Sequence, residues 1–185
     1  YEEPMRRFGT DRPDTRFGRE IVELSDLMRE SKARIVQSAV ERGGIVAGIL
    51  AEEGKQLSRR ELDELVAWVQ TLGAGGLAWI RAAEDGWQSP LAKFFDEGER
   101  EKICERTGLR TGGVLFLVAG PRAHALQVLG QLRLRLGHML KRIPEGVWNY
   151  LWVTDFPLLE YNLEAKRMSA VHHPFTAPKD EDLEL

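Results

Sequence analysis

The stretch LSRRELDELVAWVQTLGAGGLAWIRAA (57–83) decides the class of fold. Ser58 and Glu61 have the spacing of a capping box, in which each side chain accepts a hydrogen bond from the backbone of the other residue. Gly73 is placed to end the helix in a left-handed conformation, and residues 77–83 are apolar enough for a buried strand. Between the cap and that glycine, apolar side chains recur with the period of a helix: Leu62, Leu65, Val66 and Val69. The stretch therefore predicts a helix that leads into a strand.

The sequence on both sides of this stretch mixes helices and strands in the same way. A short strand running into a helical turn is predicted for residues 21–28, and a charged helix for 96–106, before Gly108. Strands are predicted for residues 45–50 and 114–119, with a hairpin turn at 84–86 and a returning strand at 87–92. Because helices and strands do not alternate strictly, the pattern favours an α+β fold. We expect residues 20–119 to fold as one unit, with an antiparallel sheet and helices packed on one face.

The sequence after Pro121 predicts a basic helix. Residues 121–143 contain no Asp or Glu. An apolar stripe runs through them at spacings of three and four: Leu126, Leu129, Leu132, Leu136 and Leu140. The cations between them are Arg122, Arg133, Arg135, Lys141 and Arg142. We expect this helix to dock on the core and keep its basic face in solvent. A basic face turned towards RNA phosphate is the alternative.

The two ends of the chain give weaker signals. Residues 1–19 are rich in Arg, Gly and Pro, which predicts an irregular connecting segment. Residues 148–159 form an apolar run interrupted by Asp155, which predicts a buried strand, and residues 168–173 predict a second one. Tryptophan usually serves burial, so we expect all five to pack: Trp68, Trp79, Trp87, Trp148 and Trp152.

Composition and the chain ends limit the classes of protein that fit. The net charge of -3 supplies no global basic field for nucleic acid. No apolar run approaches the length that spans a membrane, so no membrane contact is expected. The single cysteine, Cys104, cannot form an internal disulfide, which fits a cytoplasmic protein. The chain starts at Tyr1 and stops in an acidic stretch, and we expect it to be an internal segment of a longer protein.

Few residues in this sequence stand in patterns that carry chemistry. The four histidines and the cysteine lack the spacing of a metal site, and the glycines at 73–76 lack the Lys-Ser/Thr of a phosphate loop. What remains is His172-His173-Pro174, at the end of a predicted strand. Pro174 holds His173 extended, which suits a residue that faces a ligand. A buried histidine with satisfied hydrogen bonds is the simpler interpretation of these residues.

Seven stretches, in this order, resemble the bacterial-type aspartyl-tRNA synthetases. They are FGTDRPDTRFG (8–18), LSRREL (57–62), GGLAWI (75–80), WQSPLAKF (87–94), LRLRLG (132–137), LWVTDFP (151–157) and HHPFT (172–176). In that family an inserted GAD-type domain interrupts the class II catalytic core. The resemblance therefore implies core segments at residues 1–19 and 120–185, where the chain leaves and re-enters the core. It implies the inserted domain at 20–119.

The resemblance also implies a function for the longer protein. That protein would activate L-aspartate with ATP and Mg²⁺ and transfer it to tRNA(Asp), as a cytoplasmic homodimer. His172 and His173 would bind the substrate aspartate. The ATP-binding arginines of the family's second and third motifs have no counterpart in this sequence. We therefore expect the chain alone to be inactive, with no catalytic or metal-binding residue and no cofactor. A free-standing interaction or RNA-contacting module with the insert-type fold is the alternative.

Overall fold

In the computed structural model, residues 1–29, 31–162, 165–171 and 181 are described. Within them the α-helices are α1 (Glu2–Phe8), α2 (Ser25–Met28), α3 (Arg34–Glu41), α4 (Arg59–Thr71), α5 (Glu97–Thr107) and α6 (Arg122–Met139). The strands are β1 (Val22–Glu23), β2 (Ile45–Ala51), β3 (Ala78–Ala83), β4 (Gly86–Gln88), β5 (Val114–Gly120), β6 (Leu159–Asn162) and β7 (Arg167–Ala170). Short 3-10 turns lie at Gly54–Gln56 and Ala92–Phe94.

A five-stranded antiparallel sheet organises the protein. Its strand order is β1-β2-β5-β3-β4. The central pair, β2 and β5, is in register along its whole length, from Ile45 opposite Gly120 to Ala51 opposite Val114. Strands β6 and β7 form a separate two-stranded sheet. The predicted α+β class with an antiparallel sheet is confirmed.

Helices cover both faces of this sheet, whereas the sequence predicted one. The two central strands are almost continuously buried, so their alternate side chains point into two different apolar layers. One layer joins alternate sheet residues such as Phe116 to α4 and α6. The other joins residues such as Leu115 to α2, α3 and α5. Apolar side chains on both faces of a sheet each need a cover, which explains the second layer.

The local signals that the sequence predicted are present. Ser58 and Glu61 form the capping box of α4, with Glu61 N–H donating to Ser58 Oγ at 3.2 Å and Ser58 N–H to Glu61 Oε2 at 2.7 Å. Asp96 and Glu99 form a second capping box, at the start of α5. Gly108 ends α5 with a φ of 74°, a left-handed conformation that glycine adopts at little cost.

The first residues form a helix instead of the predicted irregular segment. Helix α1 carries acidic residues in its first turn and basic residues in its last, which complements the helix dipole. It ends at Gly9 and packs against α6 at Gly130. A Cβ on Gly130 would lie 2.7 Å from the Gly9 carbonyl oxygen and 2.8 Å from that of Phe8. The backbone of Phe8 and Gly9 can come this close to α6 only because position 130 has no side chain.

The prediction of a buried strand at 148–159 was wrong. These residues are irregular as far as Pro157, and a strand begins only at Leu159. Trp148 is 76% exposed and Trp152 95% exposed, so these two tryptophans do not pack in a core as predicted. Trp79 is buried, and Trp68 and Trp87 are partly buried. An apolar run becomes a buried strand only where neighbouring strands pair with it, and no segment in the described part of the chain does so here.

Helix α6 belongs physically to the sheet, since its predicted leucine stripe is buried in the same layer as α4. The boundaries at 19/20 and 119/120 stay a prediction. We expect a span of residues 20–142 to unfold at a higher denaturant concentration than the span 20–119. Each fully buried leucine of α6 contributes about 1.5–3 kcal/mol. Equal unfolding midpoints, measured by circular dichroism, would contradict the packing of α6, and loss of cooperativity in 20–119 would contradict the predicted domain.

Candidate functional site

The two segments that flank the sheet in sequence meet around a cavity of about 830 Å³. One wall is α1 together with the loop up to Glu20, and the other is formed by residues 151–155. The Tyr1 and Phe156 rings contact each other, with their centroids 5.2 Å apart, and the Asn149 side chain donates to the Thr15 carbonyl at 3.1 Å. The cavity therefore lies between the two segments that the resemblance assigned to the catalytic core.

Arg133 of α6 holds the first of these segments in place. Its side chain is buried, and its Nε donates to the Arg19 carbonyl at 3.0 Å. Its Nη2 donates to three further carbonyls, those of Asp14 and Phe17 at 2.8 Å and that of Gly18 at 3.0 Å. One guanidinium thus fixes the turn of the loop between residues 14 and 19. A lysine has no planar fork and could not satisfy this set of acceptors.

Among the described residues, no carboxylate pairs directly with the buried charge of Arg133. Burial lowers the pKa of Arg133, and the nearby charges of Asp14 and Glu20 oppose that shift. Two aromatic faces add to the stabilisation, since the guanidinium carbon lies 4.1 Å from the Phe17 ring centroid and 4.8 Å from that of Phe8. Carbonyl dipoles and ring faces therefore replace the lost water.

Ion pairs organise the polar wall of the cavity. Arg16 donates to both oxygens of Asp14, at 2.9 and 2.7 Å, and this hydrogen bonding lowers the pKa of Asp14. Arg7 bridges Glu20 and Glu3, and its hydrogen bonds are the main cause of the lowered pKa of Glu20. The arginines that face the cavity thus have carboxylate partners, so this wall is built for rigidity more than for capturing an anion.

A second ionic cluster ties the loop to the sheet domain. Glu53, just after β2, accepts from Arg19 and lies 3.1 Å from Nε of Arg142. Burial raises the pKa of Glu53, but its backbone hydrogen bond and the two arginines outweigh that effect and lower it overall. Arg19 has a φ of 71°, a left-handed conformation that a non-glycine residue adopts only under constraint. The constraint is visible, because its carbonyl is bound to Arg133 and its side chain to Glu53.

The predicted substrate-binding residues, His172 and His173, lie outside the described residues. The chain that leads to them is described, since Val171 N–H donates to the Leu158 carbonyl at 3.1 Å, next to the pair β6 and β7. Among the described residues there is no group of three or more His, Cys, Asp or Glu that could hold a metal ion. None of the described helices is both long enough and apolar enough to cross a membrane.

Sequence reasoning missed the role of Arg133, which it assigned to the solvated face of the helix. The signal was present in the spacing. Arg133 stands four residues after Leu129 and three before Leu136, so it lies on the buried leucine stripe. A cation on an apolar stripe indicates either a buried ion pair or a bound backbone segment. Here Arg133 binds the backbone of residues 14–19.

Residues 36–129 of the chain match the GAD domain, which is half of its length. The chain belongs to the GAD domain family. The match includes the five-stranded sheet from β2 onwards and the first half of α6, and it leaves out the cavity between the flanking segments.

Similarity to known proteins also extends through both flanking segments. The chain is 44% identical over 186 residues to the aspartate–tRNA ligase of Shouchella clausii, a match that covers 100% of this chain and 32% of the relative. It is 44% identical over 183 residues to the aspartate–tRNA(Asp/Asn) ligase of Aquifex aeolicus, covering 99% of this chain and 30% of the relative. The chain thus spans about a third of the length of these relatives. The resemblance found in the seven sequence stretches is confirmed.

We expect Arg133→Met to destabilise the chain by about 3 kcal/mol or more. The substitution leaves four carbonyls without their charged donor, and hydrogen bonds to a charged group are strong. Arg135→Met is the matched control, because Arg135 lies on the same helix and only stacks on Trp68, at 4.5 Å. Its cost should stay within about 1 kcal/mol. Similar urea midpoints for the two variants would show that Arg133 does not hold the loop.

The lowered pKa of Asp14 predicts a pH dependence of stability. A carboxyl group with a lowered folded-state pKa stabilises the fold above its unfolded pKa, near pH 4, and this contribution is lost as pH falls through the folded pKa. Between about pH 6 and pH 3 the free energy of unfolding should therefore fall less in Asp14→Asn and in Arg16→Gln than in the unchanged chain. The double variant should add nothing further. Additive effects in the double variant would mean that the two residues act independently.

Proposed function

We propose that this chain is an internal segment of an aspartyl-tRNA synthetase. The observation that carries the proposal is the extent of the similarity. The chain matches the relatives along its whole length, and both flanks of the GAD match are included. A free-standing GAD module would have no need of these flanks. The packing of α1 and the following loop against α6 gives the first flank a role that fits an inserted domain anchored in a larger core.

The apolar arm, defined as residues 147–171, supports this proposal. It exposes an unusual number of large apolar side chains: Val147, Trp148, Tyr150, Leu151, Trp152, Leu158, Leu159, Tyr161 and Met168. Large apolar side chains that are exposed along one segment indicate an interaction surface. The relatives are about three times as long as this chain, so the rest of the longer protein would cover the arm.

In this proposal the longer protein activates L-aspartate with ATP, forms aspartyl-adenylate with release of pyrophosphate, and transfers the aspartyl group to tRNA(Asp). It works as a cytoplasmic homodimer. His172 and His173 bind the substrate aspartate. The longer protein uses Mg²⁺ together with ATP in the activation step.

The contribution of this chain to catalysis is positional. Arg133 fixes the loop of residues 14–19, and that loop forms one wall of the cavity whose other wall is the start of the apolar arm. The arm continues through β6 and β7 to Val171, which directly precedes His172. Accurate placement of binding residues is itself a large part of catalysis.

Aspartate-dependent exchange of pyrophosphate into ATP tests the function. We expect the full-length protein to catalyse exchange with aspartate and not with leucine. The 185-residue chain alone should give no exchange above background, because the arginines that bind ATP are not in this sequence. Exchange by the chain alone would contradict the proposal that it holds only part of the active site, and no exchange by the full-length protein would contradict the function.

The role of His172 is tested by its replacement in the full-length protein. A bound carboxylate favours the protonated imidazole, so aspartate binding should take up protons and weaken as pH rises from about 6 to 8. His172→Gln retains a hydrogen-bond donor and removes the charge. We expect about tenfold weaker aspartate binding, a smaller preference over asparagine and a flatter pH dependence. Calorimetry in two buffers of different ionisation enthalpy measures the proton uptake. Equal affinity and equal uptake for both proteins would make His172 a packing residue.

A further inference from the structure

Helix α6 is connected to both of the segments that flank the sheet domain. On one side, Arg133 binds carbonyls of the loop of residues 14–19, and Gly130 lies against the end of α1. On the other side, the chain runs directly from the end of α6 into residues 140–156. The position of each flanking segment therefore depends on the same helix.

The two flanking segments also face each other across the cavity of about 830 Å³, which both of them line. Their direct hydrogen bonds include one from Arg16 Nη1 to the Pro144 carbonyl at 3.4 Å and one from the Asn149 side chain to the Thr15 carbonyl at 3.1 Å. Two bonds of this kind contribute little to stability. The distance between the segments is therefore set mainly through α6.

The contact at Gly130 leaves no room for a side chain. A Cβ at this position would lie 2.7 Å from the Gly9 carbonyl oxygen and 2.8 Å from the Phe8 carbonyl oxygen. These are backbone atoms, which cannot rotate aside as a side chain can. Because ordinary contact begins at 3.4 Å, α1 would have to move away from α6 by about 0.7 Å. Helix α1 lines the cavity, so its movement would displace one wall.

The basic residues of α6 and the chain just after it offer little to a nucleic acid. Arg133 is buried, and Arg135 stacks on Trp68 with its guanidinium carbon 4.5 Å from the ring centroid. Arg122 and Arg142 each form an ion pair with a glutamate, at 2.8 and 3.1 Å. These four cations are thus occupied within the chain, which favours a structural role for the helix over a contact with RNA phosphate.

We propose that the GAD domain is an internal scaffold of the longer protein, in which Gly130 sets the distance between the two flanking segments and so supports the activation of aspartate. This inference rests on the proposed synthetase function, in which both segments belong to the catalytic core. Gly130 is a positioning residue, because it acts through the backbone of α1. A displacement of about 1 Å in a catalytic core can lower a rate by on the order of 100-fold.

The test uses Gly130→Ala in the full-length protein. Exchange of pyrophosphate into ATP with aspartate, measured without tRNA, should have a kcat about tenfold below that of the unchanged protein. The KM for tRNA(Asp) in aminoacylation should stay the same. Unchanged exchange together with a raised KM for tRNA would overturn the proposal and show that the domain contacts tRNA. No exchange by the unchanged protein would instead contradict the synthetase function.

Gly137→Ala is the matched control, since it makes the same substitution in the same helix. Its Cβ would lie 3.0 Å from the Phe17 ring and 3.1 Å from an Ile143 methyl group, and these side chains can move aside. Exchange should stay within about twofold of the unchanged protein. An equal loss in both variants would overturn the proposal.

A second variant separates positioning from folding. Arg133→Lys loosens the same segment without adding volume, and it should also lower the kcat for exchange about tenfold without changing the KM for tRNA(Asp). Circular dichroism gives the folded fraction of each variant at the assay temperature. A loss of exchange that only follows the loss of folded protein would overturn the scaffold role.

Discussion

The burial of one guanidinium, that of Arg133, is the constraint on which the architecture outside the sheet depends. A buried charge is tolerated only where fixed dipoles replace the water that it has lost. The loop of residues 14–19 supplies those dipoles, so it can hardly move without leaving either the arginine or its own carbonyls unsatisfied. In return the loop brings α1 against α6, at a contact that only Gly9 and Gly130 allow. The flank and the GAD domain therefore behave as one body.

Helix α6 can hold the loop in place because the helix is itself packed against the sheet. Its leucines share one apolar layer with α4 and with alternate residues of β2 and β5, so the helix is fixed along most of its length. Arg133 lies on the same stripe, and there the helix binds the loop carbonyls instead of packing against the apolar core. The Arg19–Glu53–Arg142 cluster adds a second anchor between the loop, the sheet and the chain after α6. A sheet domain held at two points keeps a defined orientation relative to the loop of residues 14–19.

Local sequence rules predicted the elements whose stability is local. The capping box at Ser58, the left-handed end of α5 at Gly108 and the leucine stripe of α6 all follow from spacing alone. The rules failed where an element depends on distant neighbours. The run 148–159 has the composition of a buried strand, yet it stays irregular because the described part of the chain supplies no pairing strand. The candidate site shows the same difference. The sequence predicts His172 and His173, but it does not predict that Arg133 binds the loop of residues 14–19.

The sequence by itself determined the α+β class and the positions of most helices and strands, because these depend on periodicity and capping. It also determined the family, because the family is identified by ordered motifs. Only the tertiary structure decided that helices cover both faces of the sheet, that Arg133 is a buried anchor and that Gly130 sets the distance between α6 and α1. Each of these depends on which surfaces meet, and the meeting of residues more than a hundred positions apart, such as Asp14 and Arg133, leaves no periodic trace in the sequence.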